Sequence, residues 1–527
     1  RLNGSLLGTA EWDGAAFHVA TFNPPASLVR AGSNTVRLRL PGNGAPSGVE
    51  EVWLDAIQLR YGIGDVAGRR IRVEGEAGQN RYTIGADDVR IYDVTNPAAT
   101  QIVTDFPPPS SGKVTFGDVD AGTATYYLLT EDQIAAPDRI VPALTLPDPP
   151  GGAEYLVIAH SDFADAVAPL VAHRAVSQTV FSATVEAVYD VYSYGVVTST
   201  AIRDYIEHAY EDWPTPVKYV LLVGDGIRDS QSRLQSPVAR MNYIPPYMMD
   251  VGGFEAASDN RYVTVDGDDN LADVFIGRLP VNTVAEATTV VDKILAYELD
   301  APQWPWNERV LFFADDDYGG IFHQDSDEIL THHLPSNFVG RRVYYCSYQC
   351  NKSHLYDDIT AAHDAVMREL NVGGLLASYV GHSSVHQWAV ERMFHLDDVA
   401  ALHNGAALPM FLEMTCYTSD FSDPALDTLD ESLLRWGGGG AIATWGSTTL
   451  GSTAGHASLH QTFFDTVFQN GSTARLGPAT EAAKTSLPGD SDLRDTFVLL
   501  GDPAMDLNLA IVPWAHEVFL PFTLRDS

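Results

Sequence analysis

Three shortages limit what this sequence can be: it is poor in cysteine, poor in cations, and has no long apolar run. Three cysteines in 527 residues exclude a scaffold built on disulfides, and 32 Lys+Arg against 69 Asp+Glu leave a net charge of −37. So acidic a chain repels phosphate backbones and anionic lipid, which argues against nucleic acid and against a polybasic membrane anchor. No uninterrupted apolar stretch approaches the roughly 18 residues that a bilayer span requires. The segment from Arg1 lacks the basic and apolar regions of a signal peptide, so any leader is expected to have been removed. Missing too are a His-Glu-x-x-His helix, a Cys-x-x-Cys pair and a Gly-x-Ser-x-Gly elbow, which disfavours zinc and serine hydrolases. What remains is 45% apolar and 19% charged. At about 100–200 residues per domain that is enough for three or four units with cores of their own.

Residues 1–135 carry short β-rich runs between turn signals, such as Val36 to Leu40 and Val52 to Leu59, and read as an all-β sandwich. A Pro-rich linker covers 136–151. From 152 onward apolar strands alternate with helical periodicity, first over 152–303 and then over 304–510, with a tail at 511–527. Tyr155 to Ala159 and Tyr219 to Val223 are apolar on both faces of the pleat, as buried parallel strands are. Thr283 and Glu286 have the spacing of a capping box ahead of a helix to Leu299. Further strands are expected at Val310–Ala314, Val343–Cys346, Leu375–Val380, Met410–Thr415 and Ala441–Trp445. Strands joined by crossover helices pair in parallel, so the fold class is α/β with doubly wound sheets.

Cys346 and Cys350 are four apart and suit a small disulfide in an oxidising compartment, which leaves Cys416 as the odd thiol. In an open parallel sheet, residues just past the strands gather at the carboxyl edge, where ligands bind. His382 follows the strand ending Ser378-Tyr379-Val380-Gly381, and Cys416 follows the strand ending Met414-Thr415. If the two strands are neighbours, imidazole and thiol meet at one edge, as a Cys/His nucleophilic pair requires. The small residues Gly381, Ser383 and Ser384 leave room for a substrate backbone.

Gly381-His382-Ser383-Ser384, Thr415-Cys416-Tyr417-Thr418-Ser419-Asp420-Phe421, Phe497 to Pro503 and Val274 to Pro280 together resemble the gingipain family of cysteine peptidases, over roughly 152–507. The resemblance implies a caspase-like fold in two subdomains, with Cys416 as nucleophile and His382 as general base and acid. It implies oxyanion donors at the backbone amides of Cys416 and of Ser383, where the family usually has glycine. An acid orienting the imidazole is implied after the strand at Val310–Ala314; Asp317 is the first choice and Asp316 the second. Cleavage after Arg or Lys is implied, with Asp325 or Asp327 as pocket acid and Trp445 at the pocket wall. The resemblance also implies a secreted or cell-surface monomer made as a zymogen and acting on protein or peptide substrates, basic ones included, with no cofactor for catalysis. Two rivals stand beside this reading: a processing peptidase or transpeptidase of the same family, and a non-catalytic surface or adhesion protein on a peptidase scaffold. Separately, Asp266, Asp268, Asn270 and Asp273 concentrate oxygen atoms of the kind calcium prefers, and a structural ion is expected there in competition with a plain acidic turn.

Overall fold

The computed structural model describes residues 1–10, 19–30, 33–39, 71–74, 80–85, 89–96, 99–104, 106–118, 125–131, 134, 141–229, 240–300, 304–316, 320–347, 355–469, 473–489 and 491–510. These pack as two compact units, one within 1–142 and one from Ala143 on.

In the first unit an antiparallel sheet runs in the order Ile71–Glu74, Thr125–Leu129, Arg90–Asp93, Gln101–Val103. A separate antiparallel pair joins Asn80–Gly85 to Lys113–Asp118. Ile91, Tyr126 and Leu128 of the sheet and Val114 and Phe116 of the pair share one small core. The strand expected from Val36 is reduced to an isolated bridge between Val36 and Leu2. The strand expected at 52–59 lies outside the described residues.

The second unit is built on one sheet of eleven strands. In chain order they are β1 (Tyr155–Ala159), β2 (Val180–Thr184), β3 (Tyr219–Val223), β4 (Phe275–Leu279), β5 (Arg309–Ala314), β6 (Val339–Tyr345), β7 (Leu355–Tyr356), β8 (Leu376–Val380), β9 (Met410–Met414), β10 (Ala443–Ser447) and β11 (Phe497–Leu500). Across the sheet the order is β7-β6-β5-β8-β9-β10-β11-β4-β3-β1-β2. Every neighbouring pair is parallel except β10–β11, which is antiparallel and joins two parallel halves into one sheet. The caspase-like doubly wound architecture is present, and β11, from the end of the described chain, completes the half that begins at β1.

Apolar residues on both faces of the pleat explain why these strands are central. In β1, Tyr155, Val157 and Ala159 enter one core with α1 (Ala164–Arg174) and α4 (Val284–Leu299), while Leu156 and Ile158 enter another with α2 (Val185–Ser193) and α3 (Ser199–Glu211). β5 and β8 divide the same way: Val310 and Leu376 on one face, Leu311 and Ala377 on the other. Each buried leucine or valine contributes about 1.5–3 kcal/mol by leaving water, so a two-faced strand fixes its place in the sheet. At α4 the Thr283 side chain accepts from the Glu286 N–H at 3.2 Å, and Glu286 reaches back to the N–H of Asn282, one residue before the expected partner.

Candidate active site

β8 and β9 are parallel neighbours with Val380 opposite Met414. Continuing that register sets Gly381 beside Thr415 and His382 beside Cys416, and the Thr415 hydroxyl lies 2.6 Å from the Gly381 carbonyl oxygen. Two residues that are 34 apart in sequence thus leave the same sheet edge together. His382 is exposed and Cys416 half-buried. Among the described residues Cys416 is a free thiol, whereas Cys346 is disulfide-bonded; Cys350 lies outside the described residues. Burial pushes the Cys416 thiol up from its ordinary pKa, and the Gly451 backbone N–H pulls the other way. Tyr417 follows in the left-handed region (φ 60°) and donates its N–H to the Thr449 carbonyl, so the chain turns sharply just after the thiol.

His382 is held through its backbone. Its N–H donates to Asp315 Oδ2 at 3.2 Å, and its carbonyl accepts from the Tyr379 hydroxyl at 2.6 Å and from the Ala389 N–H at 2.8 Å. The Ala389 bond to the His382 carbonyl lies one step beyond the antiparallel pairing of Ser383 with Trp388 and of Ser384 with Gln387. Gly381 must be glycine: a Cβ there would stand 2.4 Å from Asp315 Cβ and 2.5 Å from the Tyr379 hydroxyl. Behind Tyr379, Trp388 stacks at 4.5 Å between ring centroids and donates its indole N–H to the buried Glu413 at 2.9 Å. The imidazole packs edge-on against Phe322, centroids 5.2 Å apart.

The acids behind the site differ from expectation. Asp315 is the first residue past β5, is 2% exposed, and accepts the N–H groups of both His382 and Asp316. Burial raises its carboxyl to about 7 against those two hydrogen bonds. Asp316 accepts from the Ser347 N–H at 3.0 Å and from the Ser347 hydroxyl. Asp317 lies outside the described residues. Among the described residues no carboxylate is hydrogen-bonded to the imidazole. Asp315, Asp316 and Glu391 have carboxylate oxygens within 4.8 Å of one another, and sequence reasoning missed both Asp315 and Glu391. The parallel register of β5 with β8, Ala314 opposite Val380, was the signal that singles out Asp315.

The expected pocket residues do not gather here. Asp327, on α5 (Ile321–Glu328), pairs with Arg342 at 3.0 Å and accepts from the Tyr344 hydroxyl at 3.1 Å. Asp325 is half-buried on the same helix. Trp445 is corrected: it is fully buried inside β10, against Phe463 and Phe497, with no surface left for a substrate. The calcium reading is corrected as well. Asp273 accepts the N–H groups of Val265 and Asp266, and Asn270 is buried among Ser491, Arg494 and Asp495. Asp266 and Asp268 stay exposed, so the four do not converge.

The remaining shared strings build the frame around the site. In β4 the buried Arg278 pairs bidentately with Asp259, 2.7 Å on each arm, and lies 4.5 Å over the Phe421 ring. Past β11, Asp502 accepts from Tyr155 at 2.9 Å and pairs with Arg174 at 2.7 Å. No helix among the described residues is long and apolar enough to cross a membrane.

Comparison with known proteins finds relatives over this region. Gingipain R2 of Porphyromonas gingivalis is 24% identical over 345 residues, 63% of this chain and 43% of that protein. Lys-gingipain of the same organism is 27% identical over 196 residues, 36% of this chain and 10% of that one. The chain thus spans less than half the length of the curated relatives it matches. The crystal structure of the Arg-specific cysteine proteinase gingipain R superposes with a TM-score of 0.56 at 20% identity, covering 70% of this chain and 81% of that one, and shows the same fold. The profile of peptidase family C25 matches residues 148–508, about two thirds of the sequence, and the chain belongs to that family.

Proposed function

We propose that the chain is a cysteine endopeptidase in which Cys416 is the nucleophile and His382 the general base and acid. The observation that carries this reading is the β8–β9 register, Val380 opposite Met414, with His382 and Cys416 each two residues past that pair. Burial pushes the Cys416 thiol up, so attack needs a base to take its proton, the role assigned to His382. Thiolate attack on the peptide carbonyl gives a tetrahedral adduct whose oxyanion lies toward the amides of Cys416 and Ser383. Collapse expels the amine with a proton from His382, and a water deprotonated by His382 then hydrolyses the thioester. Asp315 acts as a positioning residue, fixing the His382 backbone instead of its ring.

Cleavage after Arg or Lys is the favoured preference. It is supported by relatives named for Arg and Lys. The Cys346 disulfide supports a secreted or cell-surface location. Denatured casein and a fluorogenic peptide panel varied at the residue before the cut test the proposal. Hydrolysis strongest after Arg or Lys, and abolished in Cys416→Ala, is the expected result. Cleavage after other residues would remove the basic preference alone. No cleavage of any substrate would favour the scaffold reading, and transfer to added amines in place of hydrolysis would favour the transpeptidase.

A further inference from the structure

We propose that the Ser383 side chain is a latch on the oxyanion site: in the resting protein its hydroxyl occupies the Cys416 amide, and a substrate must displace it before the tetrahedral adduct is stabilised. This rests on the assignment of Cys416 and His382 above. The Cys416 N–H donates to Ser383 Oγ at 3.1 Å, so one of the two amides expected to bind the oxyanion already has an acceptor from within the chain. The same hydroxyl lies against the Cys416 carbonyl oxygen and 2.6 Å from Thr415 Oγ1. Thr415 Oγ1 in turn lies 2.6 Å from the Gly381 carbonyl oxygen.

Counting protons shows why the latch can open. Two hydroxyls carry two protons, and both carbonyl oxygens are acceptors only. Three close contacts, Thr415 to Gly381, Thr415 to Ser383 and Ser383 to Cys416, therefore share two protons, and one contact must always lack a donor. An oversubscribed cluster loses little when one member leaves. Rotation of Ser383 about χ1 frees the Cys416 N–H for the substrate oxygen and lets the Thr415 proton settle wholly on Gly381. Glycine or alanine at 383 cannot form the latch, while the backbone N–H of residue 383 is retained in both.

The test compares two thiol reagents on the same protein. A peptide aldehyde adds to the Cys416 sulfur, and its carbonyl oxygen, taking up the thiol proton or remaining an oxyanion, must sit in the oxyanion site. Iodoacetamide forms a thioether with loss of iodide and needs no such site. Inhibition constants for acetyl-Leu-Leu-argininal and acetyl-Leu-Leu-norleucinal, a basic and an apolar aldehyde, are measured for the unsubstituted protein, Ser383→Ala and Ser383→Gly. Alkylation rates with iodoacetamide accompany them. The expected result is aldehyde binding about tenfold tighter in both variants, equivalent to about 1.4 kcal/mol, with alkylation changed less than about twofold. Each protein is freed of unfolded material before either measurement, because iodoacetamide also alkylates the exposed thiol of an unfolded chain. Unchanged or weaker aldehyde binding would overturn the latch, the weaker case making the hydroxyl a donor to the oxyanion. Failure of iodoacetamide to label Cys416 in any of the three would instead remove the underlying assignment, and the latch with it.

Discussion

Asp315 shows how a single residue shapes this site through the backbone. Its carboxyl accepts the His382 N–H from a buried position and is raised to about 7, against an ordinary value of about 3.9 in the unfolded chain. Between those values the folded protein holds a proton that the unfolded chain has lost, so this group's contribution to stability falls as pH rises from about 4 to about 7. Asp315→Asn keeps an acceptor oxygen and cannot ionise. Its melting temperature relative to the unsubstituted protein is expected to climb by several degrees across that window and then level off; a flat difference would contradict the assignment. Tyr379 acts on the other side of His382, donating to its carbonyl and accepting from the buried Ala389 N–H. Tyr379→Phe removes the hydroxyl that joins the His382 carbonyl to the Ala389 N–H, which still donates to that carbonyl, so a loss of about 0.5–1.5 kcal/mol is expected in denaturant titration. With one of the three backbone ties of His382 gone, and those to Asp315 and Ala389 kept, the hydrolysis rate is expected to fall up to roughly 10-fold. Neither residue is legible in the sequence as part of the site, because a Cys/His pair calls for a carboxylate on the imidazole, and these groups grip the main chain.

Among elements, the strands were the most legible and the short acidic segments the least. Runs such as Tyr155 to Ala159 and Tyr219 to Val223 are apolar on both pleat faces, the pattern of a strand covered on both sides. Trp445 was misplaced because β10 continues two residues past it, to Ser447, and the pleat turns the indole into the core. The Asp266–Asp273 loop reads as a cation site only while its partners are unknown. Residues 491 to 495, over 200 positions away, take up Asn270. The short helix α6 (Leu429–Arg435) shows the same dependence on distant chain. Lys293 on α4 donates to the carbonyls of Leu433, Leu434, Trp436 and Gly439 at 2.8 to 3.2 Å, closing its C-terminal end. Burial draws the ammonium down to about 7, and four carbonyl oxygens favour its charged form. Lys293→Met takes the ammonium's three N–H donors from all four carbonyls at once. A loss of about 1–3 kcal/mol in unfolding free energy is expected, and a change below about 0.5 kcal/mol would show that water replaces the ammonium.

Across the whole second unit, the loop after Cys416 is tied to the opposite half of the sheet. Arg228 pairs with Asp420 at 3.3 Å and Asp423 at 2.9 Å, and Arg240 pairs with Asp225 at 2.6 Å, Asp427 at 2.8 Å and Glu431 at 3.3 Å. The Asp225 and Glu431 side chains are fully buried, so Arg240→Ala leaves two carboxylates to Arg435 alone. Breaking such a pair costs about 3–5 kcal/mol, and the remaining arginine places the expected loss at the lower end. The net charge of −37 gave no hint of these ties, since they join residues up to 195 apart. The central claim is that Cys416 is a nucleophile activated by His382. It is tested most directly by intact-protein mass spectrometry after exposure to a peptidyl acyloxymethyl ketone, which the sulfur attacks with loss of the carboxylate. One adduct per chain, mapped to Cys416 and lost in His382→Ala, is the result predicted here; no adduct, or equal labelling of His382→Ala, would contradict it.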